Sequence, residues 1–178
     1  RERQGALGAN QELRQVRLVA DEQVDVVAAD PAQQLGEAPL DLLGFGQAEV
    51  PMTSTQTLQR ALAYAATYGY TVWLRPQELY LGKGVAASGP LATRMGLSGV
   101  PVAAETIALH TIFELMRGTQ ARVHLCRLSS AAGVELVRRA KAEGLQVTAD
   151  VSINSLHLTD ADMGYFDSSA RVPPPLRQ

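Results

Sequence analysis

Apolar positions along the chain change period several times, and each change marks an element. Thr71 to Leu74 is a short apolar run of the kind buried in a parallel sheet, and Leu42 to Gln47 is apolar enough for a strand. Between them Leu58, Ala61, Leu62 and Ala65 recur at helical spacing, with Thr57 opening the helix and Gly69 stopping it. Ala103 to Arg117 predicts a longer helix, with a stripe of Ile107, Ala108, Thr111, Ile112, Leu115 and Met116 ended by Gly118. Val123 to Arg127 is the next strand. Ser129 and Ser130 offer N-cap hydroxyls, Val134, Val137 and Ala140 lie on one helical face, Gly144 ends the helix, and Leu145 to Val151 is a further strand. Strands joined by helices of this length are parallel neighbours with right-handed crossovers, so the class is α/β. Thr159 then caps a short helical turn, and an irregular run from Ser168-Ser169 leads into Pro173-Pro174-Pro175.

The first 44 residues differ in texture. They contain no Ser, Thr, Lys, His, Phe, Tyr, Trp, Ile, Met or Cys, and only Val16 to Val19 and Val24 to Val27 suit strands. Two readings stand for residues 1–43: a surface helix pair or loosely ordered arm, or a segment foreign to the rest, such as a shifted reading frame or a splice would leave. Residues 44–178 form the second unit.

Charge is nearly balanced, 16 basic against 18 acidic residues, which favours neither nucleic acid nor an anionic membrane. A single cysteine, Cys126, excludes an internal disulfide framework. No run of about 18 apolar residues and no signal-peptide core is present, so the expectation is a soluble, cytoplasmic protein. Glycines between Gly84 and Gly99 are scattered, and no Gly-Lys-Ser/Thr follows to make a phosphate-binding loop.

Four stretches carry a family resemblance. His124-Leu125-Cys126-Arg127-Leu128-Ser129-Ser130 is similar to HICHVST, Ala140-Lys141-Ala142-Glu143-Gly144 to a helix ending in AK..G, Val147 to Leu156 to VTAEVTPHHL, and Pro174-Pro175-Leu176-Arg177 to PPLR. Together they resemble the dihydroorotases of the amidohydrolase superfamily, and Gly96-Leu97, Gly99-Val100-Pro101 and Glu105 match that family's loop and helix start. The resemblance implies a (β/α)8 barrel of the metal-dependent hydrolase type. Such a barrel takes about 250 residues, and the family's HxH and ATDHAPH segments have no counterpart here, so the expectation is a contiguous part covering about four strands.

Its chemistry is substituted at the places that matter. The family's bridging aspartate in FSDDG falls at Gln47 and Ala48, with Glu49 one place too late. The ligand histidine of HAED falls at Arg75, and the second histidine of HICHVS at Arg127. Of the substrate-loop positions, MNEG has become Ala86-Ala87-Ser88-Gly89, with Ala87 stripped of polarity. Asn154 and Ser155 stand where the HH pair belongs, leaving His157 out of register, and Pro173 replaces the asparagine of NPPLR. His110 reads as a surface or packing residue and His124 as structural. A guanidinium has no free lone pair, stays protonated and repels a dication, so it cannot replace a zinc-binding imidazole. The resemblance therefore implies a non-catalytic barrel with no metal ligands and no cofactor, although the family uses zinc. It resembles the dihydroorotase-like subunits that assemble with aspartate carbamoyltransferase, which implies a hetero-oligomer. Two alternatives stay open: an active zinc-dependent dihydroorotase or related cyclic amidohydrolase with ligands recruited elsewhere, and a module in which Arg75 and Arg127 hold a carboxylate. Both arginines could equally pair with Glu78 and Asp150.

Overall fold

A computed structural model describes residues 15–17, 24–28, 42–47, 51, 54–164 and 171–177. Strand β3 (Leu42–Gln47) leads through α1 (Thr55–Tyr68) to β4 (Thr71–Leu74). A small excursion follows: β5 (Ala86–Ala87), α2 (Pro90–Arg94) and β6 (Gly99–Val100). Then come α3 (Ala103–Thr119), β7 (Arg122–Leu128), α4 (Ala131–Ala142), β8 (Val147–Val151), α5 (Ile153–His157) and a 3-10 turn (Asp160–Met163). Two earlier strands, β1 (Gln15–Arg17) and β2 (Val24–Ala28), add to the same sheet.

The main sheet runs β1-β2-β3-β4-β7-β8, with β3, β4, β7 and β8 mutually parallel and β1 and β2 antiparallel. Of residues 1–41, those described are the paired strands β1 and β2, which include Val24 to Val27. Leu18, Val19 and most of that segment lie outside the described residues. Four parallel strands linked by helices agree with the expected part of a barrel.

The core lies between this sheet and one layer of helices. Phe45, Val72, Leu74, Val123, Leu125 and Val147 point from the strands toward Leu58, Leu62 and Ala65 of α1, Leu109, Ile112, Phe113 and Met116 of α3, and Val137 and Ala140 of α4. Leu62, Leu109 and Leu125 are wholly shielded from solvent. The opposite strand face carries a row that follows the register Gly46, Trp73, His124, Thr148. On that face Trp73 stays 43% exposed and meets the His124 ring at 5.8 Å. In a closed barrel this is the lumen side.

Several expected boundaries shift. Ser54, not Thr57, caps α1: its side chain accepts the Thr57 N–H at 3.2 Å. Gly69 ends α1 as expected, at φ 70°. The α3 helix runs through Gly118 and stops at Gln120, which takes φ 57° while its N–H bonds the Met116 carbonyl at 2.8 Å. Its buried stripe is Ala104, Leu109, Ile112, Phe113 and Met116, leaving Ile107 46% exposed, because the helix is apolar over so wide an arc that its neighbours choose the face. Likewise α4 buries Gly133, Val137 and Ala140 and leaves Val134 exposed.

Candidate functional site at the carboxyl ends of the parallel strands

The parallel strands all end on one rim, which in a barrel is where chemistry is placed. Gln47 closes β3, Arg75 follows β4, Arg127 sits near the end of β7, and the chain from residue 171 to 177 lies against the same rim. The Gln47 side-chain carbonyl accepts the Arg75 N–H at 3.2 Å. Arg127 takes φ 58°, at an irregularity in the β7–β8 register between Leu125 and Leu128. That conformation costs a non-glycine residue on the order of 1–3 kcal/mol. It turns the Arg127 N–H onto the Asp150 carboxylate at 2.6 Å, while the guanidinium reaches the Pro173 carbonyl at 3.4 Å.

Arg75 and Arg127 thus come together, lining with Pro174, Glu105, Ser129 and Arg177 a cavity of only about 10 Å³. That is room for one water at most, by the roughly 10–15 Å³ a water requires. A larger cavity of about 170 Å³ is lined by Arg75 and Arg171 together with Gly82, Gly84 and Pro173, and Arg127 is not part of its wall. The expected pairing of Arg75 with Glu78 meets a competitor, since the Glu78 carboxylate accepts the N–H groups of Tyr80 at 2.9 Å and Leu81 at 2.6 Å. The other positions singled out in the sequence lie apart: Ala87 is buried in β5, and Asn154 and His157 are exposed on α5. His110 is exposed on α3, as expected of a surface residue.

Beneath the rim lies a buried polar clamp that holds the tail in place. Glu105, 4% exposed, accepts four hydrogen bonds: Ser129 N–H at 2.8 Å and O–H at 2.6 Å, Ser130 N–H at 3.1 Å and O–H at 2.6 Å. Each hydroxyl gives its one proton to the carboxylate and keeps lone pairs to accept elsewhere. Ser130 accepts the Gly133 N–H at 3.0 Å, capping α4, and Ser129 accepts the Arg177 Nε–H at 3.0 Å. Arg177 also donates to the Val100 carbonyl at 3.1 Å. Burial lowers the pKa of Arg177 below the ordinary guanidinium value, and nearby Glu105 partly opposes that shift. A β-carbon on Gly133 would meet the Glu105 Oε1 atom at 2.0 Å, so any side chain there must displace the Glu105 carboxylate.

The expectation of no metal ligand and no cofactor needs correction. On the lumen face His124, Cys126 and Asp150 each offer one donor atom, and these atoms all lie within 4.8 Å of one another. His124 Nε2 lies 3.0 Å from Asp150 Oδ2 and Nδ1 lies 2.7 Å from the Thr148 hydroxyl, so the residue read as structural belongs to a cluster able to hold a cation. The Cys126 thiol is raised above its ordinary pKa, first by burial and then by Asp150, with Arg127 opposing. The sequence did contain a signal: positions 124 and 126 share a strand face, as do 148 and 150 on the adjacent strand. By contrast the rim residues Gln47, Arg75 and Arg127 offer an amide and two guanidinium groups, which do not suit a dication.

No family model matches the chain. Individual relatives do. A dihydroorotase-like protein from Pseudomonas aeruginosa is 45% identical over 125 residues, which is 70% of this chain and 30% of that protein. A dihydroorotase from Anaeromyxobacter sp. is 38% identical over 130 residues, 71% of this chain and 30% of that enzyme. Among solved structures, an L-hydantoinase from Arthrobacter aurescens superposes with a TM-score of 0.61 at 20% identity, over 71% of this chain and 29% of that one, a likeness of fold alone. The chain spans about 30% of the length of the curated relatives it matches. No helix among the described residues is long and apolar enough to cross a membrane. Over the residues that these relatives share with it, the chain belongs to the dihydroorotase family of the amidohydrolase superfamily.

Proposed function

We propose that the protein is a dihydroorotase-like member of de novo pyrimidine biosynthesis that does not hydrolyse dihydroorotate, and that its barrel supports aspartate carbamoyltransferase in a cytoplasmic hetero-oligomer. The observation that carries this reading is the rim itself. Where the family resemblance calls for imidazole ligands, Arg75 and Arg127 line one small cavity, and the Arg127 backbone is held by its left-handed conformation and its N–H bond to Asp150. Two guanidinium groups there would repel the dication that activates water in this chemistry. In support of this reading, the Glu105 clamp and the tail hold the rim together, while Gln47, Arg75 and Arg127 offer a metal neither imidazole nor carboxylate. A direct test is turnover of dihydroorotate and of carbamoyl aspartate by the full-length protein, with and without added zinc. No turnover in either direction is expected; turnover that depends on zinc would establish the active-enzyme alternative.

A second reading is favoured by the larger cavity, in which Arg75 and Arg171 face a volume able to take a carboxylate. Carbamoyl aspartate should then raise the melting temperature of the protein, and Arg75→Gln combined with Arg171→Gln should abolish that rise. An equal rise in the double variant would refute carboxylate binding there.

A further inference from the structure

We propose that His124, Cys126 and Asp150 bind one divalent transition metal of the zinc class on the lumen face, as a clasp between β7 and β8. Two of the ligands stand two residues apart on β7, so the pleat presents them on one side, and the third comes from the neighbouring parallel strand. Their donor atoms already lie within 4.8 Å of each other. Tetrahedral zinc, with bonds of about 2.0–2.3 Å, spaces its ligand atoms by roughly 3.3–3.7 Å, so side-chain rotation alone closes the site.

The surroundings are those of a held ligand set. Thr148 Oγ1 lies 2.7 Å from Nδ1 of His124, where accepting its N–H would fix the ring and leave the Nε2 lone pair for a metal. In that tautomer Nε2 and Asp150 Oδ2 are two acceptors 3.0 Å apart, an arrangement a cation between them resolves. The second Asp150 oxygen is tied to the Arg127 N–H at 2.6 Å, which leaves Oδ2 as the ligating atom. Binding releases the thiol proton to solvent as the metal–sulfur bond forms. Neutral imidazole, carboxylate and thiolate then balance the two positive charges of the metal. Sulfur and nitrogen donors select zinc or cobalt over magnesium or calcium, and the fourth position opens to the lumen. None of Gln47, Arg75 or Arg127 takes part, so this is a different place from the one where the family resemblance puts the hydrolytic centre. Nor does the inference rest on assembly with the transferase, since a protein without that partner would still bind the metal.

Zinc and cobalt binding to the metal-stripped full-length protein tests the proposal. Expected are about one zinc retained per chain, a rise in melting temperature with zinc, and a near-ultraviolet sulfur-to-cobalt charge-transfer band in the cobalt form. Cys126→Ser should abolish that band and the zinc-dependent rise. Thr148→Val, which leaves all three ligands in place, should weaken zinc binding by roughly 10–100-fold. Arg127→Gln should leave the band intact. No zinc uptake by the wild-type protein, or zinc stabilisation undiminished in Cys126→Ser, would overturn the proposal. In that outcome the Thr148 hydroxyl donates to Nδ1 and the Nε2 proton goes to Asp150, a hydrogen-bonded pair that needs no metal.

Discussion

Replacing Glu105 with alanine strikes the point at which α3, the β7–α4 turn and the tail are joined. The substitution removes the acceptor of four hydrogen bonds in a place that is 4% exposed at Glu105 and 6% at Ser130. The two hydroxyls can turn to other acceptors; the Ser129 and Ser130 N–H groups cannot. An orphaned N–H costs about 1–3 kcal/mol where it is buried, as at Ser130, and less at half-buried Ser129. Loss of the anion beside half-buried Arg177 is part of the same loss, and removing one member of a buried charged network costs about 3–5 kcal/mol as a whole in comparable cases. A total of roughly 3–5 kcal/mol is a large share of the ~5–15 kcal/mol that holds a domain folded. With a urea m-value of about 2 kcal/mol/M, the unfolding midpoint should fall by roughly 2 M. Trp73 is the only tryptophan, sits in β4 and reports the transition by fluorescence. Glu114→Ala is the control: Glu114 lies on the exposed face of the same helix, 3.0 Å from Arg117, and its loss should stay within about 0.5 kcal/mol. A Glu105→Ala midpoint equal to that of the control would refute the clamp as a stabilising network.

Three further outcomes follow from the same geometry. Gly133→Ala should destabilise by about 1–3 kcal/mol by urea unfolding, since the new methyl would press on the Glu105 carboxylate, and a neutral result would mean that the clamp can yield. Leu109→Ala, emptying the centre of α3, should cost about 2–5 kcal/mol in the same assay, and less than about 1 kcal/mol would place Leu109 outside the core. Glu135 is held below its ordinary pKa by hydrogen bonds from Arg139 and then Arg138, and Asp162 by the Thr159 N–H and then its hydroxyl. A depressed carboxyl contributes stability above its unfolded pKa and loses it as pH falls through the folded one. The melting temperature should therefore decline below about pH 4, the ordinary carboxylate range, and less steeply in Glu135→Gln; identical profiles would exclude Glu135 from the acid limb.

The sequence was most legible where punctuation and period agree. The β7–α4–β8 unit is bounded by Ser130 and Gly144, and β3 and β4 are short apolar runs, so these elements fall near their expected places. The end of α3 was misread because Gly118 looks like a stop, yet the turn closes two residues later where Gln120 accepts the left-handed conformation. Its buried face was misread because Ile107 and Leu109 are equally apolar, and only packing between α1 and α4 chooses between them. At the site, the motif positions pointed to Gln47, Arg75 and Arg127, and the structure sets all three at the carboxyl ends of their strands. The lumen cluster shows in the sequence only as the same-face pairs 124/126 and 148/150, because placing Asp150 beside His124 and Cys126 depends on the β7–β8 register and its irregularity at Arg127. The Glu105 clamp was hidden for a related reason: it joins residues 105, 129 and 177, and no local pattern links them.

The central claim, a barrel retained as a scaffold without the family's hydrolytic centre, is tested most directly by co-assembly. Light scattering on size-exclusion fractions of the full-length protein, alone and mixed with aspartate carbamoyltransferase from the same source, should be read together with transferase activity across the peak. The expected result is one shared, heavier peak that carries the activity. Separate peaks with transferase activity unchanged by the protein would contradict the account.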